Sequence, residues 1–273
     1  MSKNDAPPQS ALSFAGRGHV DLGIQPAHAV ARDLSIEAWI KVAAQEDWAG
    51  VISKIFDNGS TESGYGVLLD GASGVKCGLK TNEHQIVYLS SGAGSISLNT
   101  WHHVAMTYDG QRLAVYIDGE ERATKALVAS SIDYSPPHYL HIGEFKDSDE
   151  RHGFTGQISE VRLWGCCRSG DQIAGGRHLR LRGDEDELVG YWPLDTGQGE
   201  VARNACDEAQ VCAIADATWV HDFPPFAPMP TPGIETSTGL ADYSYWWQWK
   251  EKLAEEELSP GSPVTFRRGR IWC

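Results

Sequence analysis

Apolar and polar positions alternate with a period of two along most of the chain as far as Val220, and the clearest instance runs from Trp101 to Gly119. There Val104, Met106 and Tyr108 alternate with His103, Ala105 and Thr107; after Asp109-Gly110, Leu113, Val115 and Ile117 alternate with Ala114 and Tyr116, and Asp118-Gly119 closes the run. A period of two is what a half-buried strand requires. Asp-Gly supplies the positive φ of a tight turn. The segment therefore predicts an antiparallel hairpin. Leu34 to Val42 repeats the pattern, with Leu34, Ile36, Ala38, Ile40 and Val42 on one face and Ser35, Glu37, Trp39 and Lys41 on the other. Shorter runs at Val51–Lys54, Gly66–Leu69, Lys76–Leu79 and Gln85–Leu89 follow at the close spacing of an all-β sandwich. Tyr139–Gly143 and Phe154–Trp164 predict two more strands separated by a loop from Glu144 to Gly153. Leu188–Asp195 and Ala217–Val220 predict the last ones.

The spaced run Trp-x-x-Val-Ala-x-Thr-Tyr-Asp-Gly, followed by Leu-x-x-Tyr-x-Asp-Gly, resembles the sheet hairpin of the laminin-G-like, concanavalin A-like jelly-roll sandwiches. The Ile36-Glu37-Ala38-Trp39-Ile40 strand is similar to that family's as well, and the resemblance covers residues 10–221. It implies an all-β antiparallel sandwich whose opening is a strand at Ala11–Gly16, a loop, and a second strand at Val20–Gly23. It further implies a short helix at Arg168–Ile173, for which Ser169 is a plausible N-cap. Functionally it implies a non-catalytic recognition module that binds a glycan, a peptide or a protein through its loops or one sheet face. Relatives often place acidic residues in the opening loop near calcium, whereas this chain has Arg17-Gly18-His19. Calcium needs six or more oxygen ligands and an arginine repels it. No cofactor is expected, calcium being the one ion left open.

Composition narrows the partners. With 273 residues and 41% apolar content the chain can bury a sizeable core as one large domain plus an appendage. A net charge of −14 repels phosphate backbones and anionic lipid, which argues against nucleic acid and membrane surfaces. Residues 1–9 read as a disordered start without the apolar run of a secretory signal, and a cytoplasmic location is the expectation.

No chemistry-bearing constellation emerges. Glu37 invites a catalytic reading, but the acidic trio at alternate strand positions that a glucanase on this fold uses is missing, and Glu185-Asp186-Glu187 lies in a polar turn. His102 and His103 are strand neighbours and face opposite sides. Catalytic residues are expected to be none, with a glycan-active hydrolase the weakest alternative. Recognition is expected from loops, and the candidate ligand-binding residues are Asp57, Asn58, Asp147, Asp149 and His152. Cys166, Cys167, Cys206 and Cys212 lack zinc-site spacing and read as reduced; a Cys206–Cys212 bridge is conceivable only in an oxidising compartment.

After the sandwich the composition turns to a Pro-rich linker, residues 222–239, then an aromatic helix, 240–258, then a basic tail, 259–273. Trp246, Trp247, Trp249, Arg267, Arg268, Arg270, Trp272 and Cys273 are the candidate partner-recognition residues of this appendage. An alternative function follows from them: a ribosomal peptide precursor, with sandwich and helix as leader and the Arg/Trp/Cys terminus offered to a modifying enzyme.

Overall fold

The computed structural model describes residues 10–226. The amino-terminal segment, most of the linker, the aromatic helix and the basic tail lie outside the described residues, as do Trp246, Trp247, Trp249, Arg267, Arg268, Arg270, Trp272 and Cys273. Within them the strands are β1 (Ala11–Asp21), β2 (Leu34–Val42), β3 (Asp47–Ser53), β4 (Phe56–Asp57), β5 (Glu62–Ser63), β6 (Tyr65–Asp70), β7 (Val75–Leu79) and β8 (Val87–Ser90). Next come β9 (Trp101–Tyr108), β10 (Arg112–Ile117), β11 (Glu120–Ala126), β12 (His141–Ile142), β13 (Glu144–Lys146), β14 (Arg151–Gly153) and β15 (Thr155–Trp164). Helix α1 (Gly170–Gly176) precedes β16 (Leu188–Trp192), β17 (Val201–Asn204) and β18 (Asp207–Val220).

These strands make an antiparallel β-sandwich, its main path running β11-β10-β9-β2-β15-β1-β12-β3-β6-β7-β8. The far end of the path folds back, so that β8 approaches β10 and β11 across the core. Leu34, Ile36, Ala38, Ile40 and Val42 enter that core together with Val104, Met106 and Tyr108 and with Val67, Leu69, Cys77 and Leu79 from the opposing half. Each such side chain contributes about 1.5–3 kcal/mol by leaving water, so the alternating pattern fixes which face turns inward. Between β10 and β11, Asp118 (φ 54°) and Gly119 (φ 84°) form the two-residue turn that a right-twisted hairpin favours.

The structure departs from the sequence reading in several places. The opening is one strand, β1, with a register break between Phe14 and His19 where Gly16 sits at φ 78°, rather than strand, loop and strand. The residues 144–153 are a hairpin, β13 and β14, not an open loop. β18 begins well before Ala217 because it pairs with β1 and β17 at once. β11 (Glu-Glu-Arg-Ala-Thr-Lys-Ala) carries no apolar alternation because it is an edge strand, where charge blunts unwanted pairing. The helix forms as expected: Ser169 accepts from the Gln172 amide while the Gln172 side chain accepts from the Ser169 amide. Cys167, Cys206 and Cys212 are free thiols, whereas Cys166, read from the sequence as reduced, is disulfide-bonded.

Candidate functional site

The polar face of β2 is not a solvent face. Ser35, Glu37 and Trp39 are all buried. A one-residue bulge in β15, between Ser159 and Arg162, turns Glu160 and Arg162 toward the same side as Glu37. Arg168 Nη1 lies 2.9 Å from Glu37 Oε1, while His103 Nε2 (3.3 Å) and Arg162 Nη1 (3.8 Å) flank Oε2. Arg162 also pairs with Glu160 at 2.9 Å, and the Tyr191 hydroxyl donates to Glu160. Burial pushes the Glu37 carboxyl up, but Arg168, His103 and Arg162 outweigh it and hold it at about 2. Helix α1 and the segment after it seal the cluster, since Arg162 donates to the Gly176 carbonyl, Arg168 to that of Gln172 and Trp39 Nε1 to that of Arg177. Glu37 is sealed from solvent against Arg168 and Arg162, and Glu160 against Arg162 and Tyr191, so neither carboxylate is within a substrate's reach. Glu37 and Glu160 are structural.

On the opposing half of the sandwich, the residues of β3, β7 and β8 that alternate away from the core build an aromatic surface. Trp48 is half-buried and adopts φ 67°. Its ring meets Tyr88 edge-on at 4.8 Å and lies 6.3 Å from Phe145. Phe145 in turn stacks on His152 at 5.9 Å with the rings 9° apart. The Lys76 ammonium stands 3.7 Å from the centre of the Trp48 ring and pairs with Asp47. Gly78 makes room for this surface, because a Cβ there would fall 2.7 Å from the Tyr88 ring. A non-glycine residue held in the left-handed region costs on the order of 1–3 kcal/mol, and such positions gather at functional sites.

Two hairpins border these rings. The Tyr88 hydroxyl donates to Asp57 Oδ2 (2.8 Å); burial and that bond both raise the phenol above its ordinary range, so it stays a donor. Asn58 Nδ2 donates to Ser148 Oγ at 3.2 Å, tying the β4–β5 hairpin to the β13–β14 hairpin. The Asn58 carbonyl oxygen accepts from the Ser60 and Thr61 amides and shapes its own turn. Asp147 Oδ1 accepts from the amides of Asp149 and Glu150, whereas its buried Oδ2 has no hydrogen-bond partner. His152 Nε2 lies 3.0 Å from Glu150 Oε2. Four of the five residues singled out in the sequence, Asp57, Asn58, Asp147 and His152, thus gather around one surface, and Asp149 lies exposed on the β13–β14 turn. Sequence reasoning missed Trp48, Lys76, Tyr88 and Phe145. Lys76 and Tyr88 lie in strands that the sequence predicts, whereas Trp48 falls outside the strand read at Val51–Lys54 and Phe145 inside a segment read as a loop.

The opening strand does not fit calcium. Arg17 presents its carbonyl to Arg151 Nη2, and that guanidinium lies 3.3 Å from His19 Nδ1 and pairs with buried Glu144. A cation fills the neighbourhood where oxygen ligands would be needed. Two surface depressions lie elsewhere. One is bordered by Leu194, Arg203, Glu208 and Trp219. The other is bordered by Arg112, Tyr116, Glu121 and Cys167, where Glu121 already accepts from both Arg112 and Tyr116. The aromatic surface is the better candidate because it combines apolar rings with polar groups at their edge, one of them unsatisfied.

Residues 14–174 match the family described as the concanavalin A-like lectin/glucanases superfamily. Mouse pappalysin-1 is 25% identical over 190 residues, which span 66% of this chain but 12% of that protein. Human pappalysin-1 is 24% identical over 183 residues, 63% of this chain and 11% of that protein. Among solved structures, a candidate carbohydrate-binding protein from Bacteroides ovatus superposes with a TM-score of 0.65 at 19% identity, covering 81% of this chain and 62% of that one. The CBM40 of a Ruminococcus gnavus IT-sialidase, bound to α2,3-sialyllactose, gives a TM-score of 0.50 at 17% identity, covering 59% of this chain and 91% of that one. These likenesses establish the fold.

Proposed function

Because this chain belongs to the concanavalin A-like lectin/glucanases superfamily, we propose that it is a non-catalytic recognition module whose ligand is a glycan laid against Trp48. The carrying observation is the strained Trp48 ring, braced by Tyr88, Phe145 and Lys76 beside two cross-linked hairpins. A flat ring suits the C–H face of a sugar, and the half-buried Asn58 and Asp57 suit hydroxyl groups at its edge. The solved carbohydrate-binding structures of the same fold support this reading. The non-catalytic half rests on Glu37 and Glu160, both fully buried, with Glu37 Oε1 bonded to Arg168 and Glu160 bonded to Arg162 and Tyr191.

The test is a glycan array probed with the full chain and with Trp48→Gly. Signal on a defined set of glycans that falls at least about tenfold with the substitution supports the reading, since burying one large aromatic is worth a few kcal/mol. An unchanged pattern refutes it. The precursor alternative rests on residues 259–273, outside the described residues, and intact mass of the protein from its native host decides it.

A further inference from the structure

After β18 the chain does not leave the sandwich at once. Residues 221–226 run across the outer face of β2 and β9, on the other half of the sandwich from Trp48, without strand or helix. The Asp222 carboxylate accepts from Lys41 Nζ (2.7 Å) and from Trp101 Nε1 (3.0 Å). Pro224 is buried. The Pro225 carbonyl accepts from His178 Nδ1 at 2.6 Å, and the Arg180 guanidinium stands 5.1 Å from the centre of the Phe226 ring. Four of the five residues from Asp222 to Phe226, all but the exposed Phe223, thus engage the surface through an ion pair, an indole bond, a buried proline, a carbonyl bond and a cation–π contact.

The surface beneath them is held together without the strap. Trp39 donates to the Arg177 carbonyl and lies 5.3 Å from His178, and Arg180 pairs with Asp195 and Glu160. Removing the strap therefore leaves Trp39, His178 and Arg180 in place and frees Lys41 and Trp101, whose bonds go to Asp222, for another acceptor in the same groove. Aromatic-lined grooves with a polar group at one end are how folded domains take extended Pro-containing peptides, which lose little entropy on binding.

We propose that this groove is a peptide-recognition site for extended segments of the form Asp-x-Pro-Pro-aromatic, filled in cis by Asp222–Phe226 and open to the same chemistry from another chain once that strap is released. A tethered ligand holds the site at a high effective concentration, so the intact chain is self-blocked. Asp222 is the latch, because its carboxylate makes two of the contacts. The proposal is independent of the glycan reading, which concerns the opposite face.

The test uses the full chain and a labelled peptide, His-Asp-Phe-Pro-Pro-Phe, copied from residues 221–226. Wild type, Asp222→Asn and the double variant Asp222→Asn/Lys41→Ala are titrated by fluorescence anisotropy, with melting curves to verify folding. Asp222→Asn should bind the peptide at least tenfold more tightly than wild type. Adding Lys41→Ala, or replacing the peptide's aspartate by alanine, should remove the gain. In NMR spectra the Trp101 indole N–H signal should move in Asp222→Asn and return toward its wild-type position as peptide is added. Equal weak binding by wild type and Asp222→Asn, binding indifferent to the peptide's aspartate, or an indole signal unmoved by peptide would overturn the proposal. Should Asp222→Asn melt early, the same titration of wild type against Phe226→Ala, which weakens the strap and leaves the groove intact, decides, with tighter binding by Phe226→Ala supporting the groove and no difference refuting it.

Discussion

The Lys76 ammonium stands over the Trp48 ring, 3.7 Å from its centre, while Tyr88 abuts the same ring edge-on. The chain thereby pins a half-buried indole in a backbone conformation that side chains avoid, at the border of two hairpins brought together by Asn58 and Ser148. Buried Glu160 holds φ 53° within a structural cluster, so it is the half-buried ring and the polar hairpins beside it, together with the backbone, that single out Trp48.

The strain has a direct measure. Trp48→Ala and Trp48→Gly both remove the ring, but only glycine relaxes at φ 67°. Trp48→Gly should therefore be the more stable of the two by up to about 1 kcal/mol in urea unfolding. A clearly more stable Trp48→Ala would mean that the backbone there is not strained.

Glu37 should be costly to lose. Glu37→Ala strips Arg168 and Arg162 of a buried counter-charge and is expected to destabilise by about 3–5 kcal/mol. Because the folded carboxyl is held at about 2, below its unfolded value, its stabilisation is complete above about pH 4.5 and is lost as pH falls toward 2. Glu37→Gln should flatten the stability profile in that window, as read by urea midpoints. A loss below about 1 kcal/mol in Glu37→Ala would contradict the cluster's structural role.

His28 acts in a different window. It is 1% exposed, packs edge-on against Trp192, and is lowered by burial and by Lys54 from 6.5 to about 4. The unfolded chain takes up its proton first, so the contribution is full above pH 6.5 and declines as pH falls to about 4. His28→Gln should remove part of the slope between those values. The remainder is shared by His141, which burial also lowers to about 4, and by His103, His138 and His178, which burial lowers as well. An unaltered slope would place the proton uptake elsewhere.

Much of this fold was legible in the sequence because its information is local. The period of two in Leu34–Val42 and Trp101–Ile117 named the core face, and Asp118-Gly119 named the turn. The polar face of the same β2 strand said less: Glu37 invited a catalytic reading, and nothing in the strand announces Arg162 and Arg168, which reach it across the sheet. The candidate surface was half legible. Asp57, Asn58, Asp147 and His152 stood out as loop polarity, whereas Trp48, Tyr88 and Phe145 come together only when β3, β8 and β13 do. The β13–β14 hairpin was hidden for the same reason, its charged residues leaving no alternation to read.

Calcium should matter little. Asp57 Oδ2 serves Tyr88, Asp147 Oδ1 serves two amides, and Arg151 sits beside the opening strand, so no set of six free oxygens converges. Millimolar calcium should leave the melting temperature almost unchanged. A rise of several degrees, reversed by chelation, would show a site that these residues do not explain.

The central claim is that the Trp48 surface holds a glycan, and the most direct measurement is calorimetric titration of the best array-selected glycan into wild type, Trp48→Gly and Asn58→Ala. The account predicts saturable one-to-one binding to wild type, at least about tenfold weaker binding to Trp48→Gly and a smaller loss in Asn58→Ala. Equal affinity of wild type and a folded Trp48→Gly would contradict it.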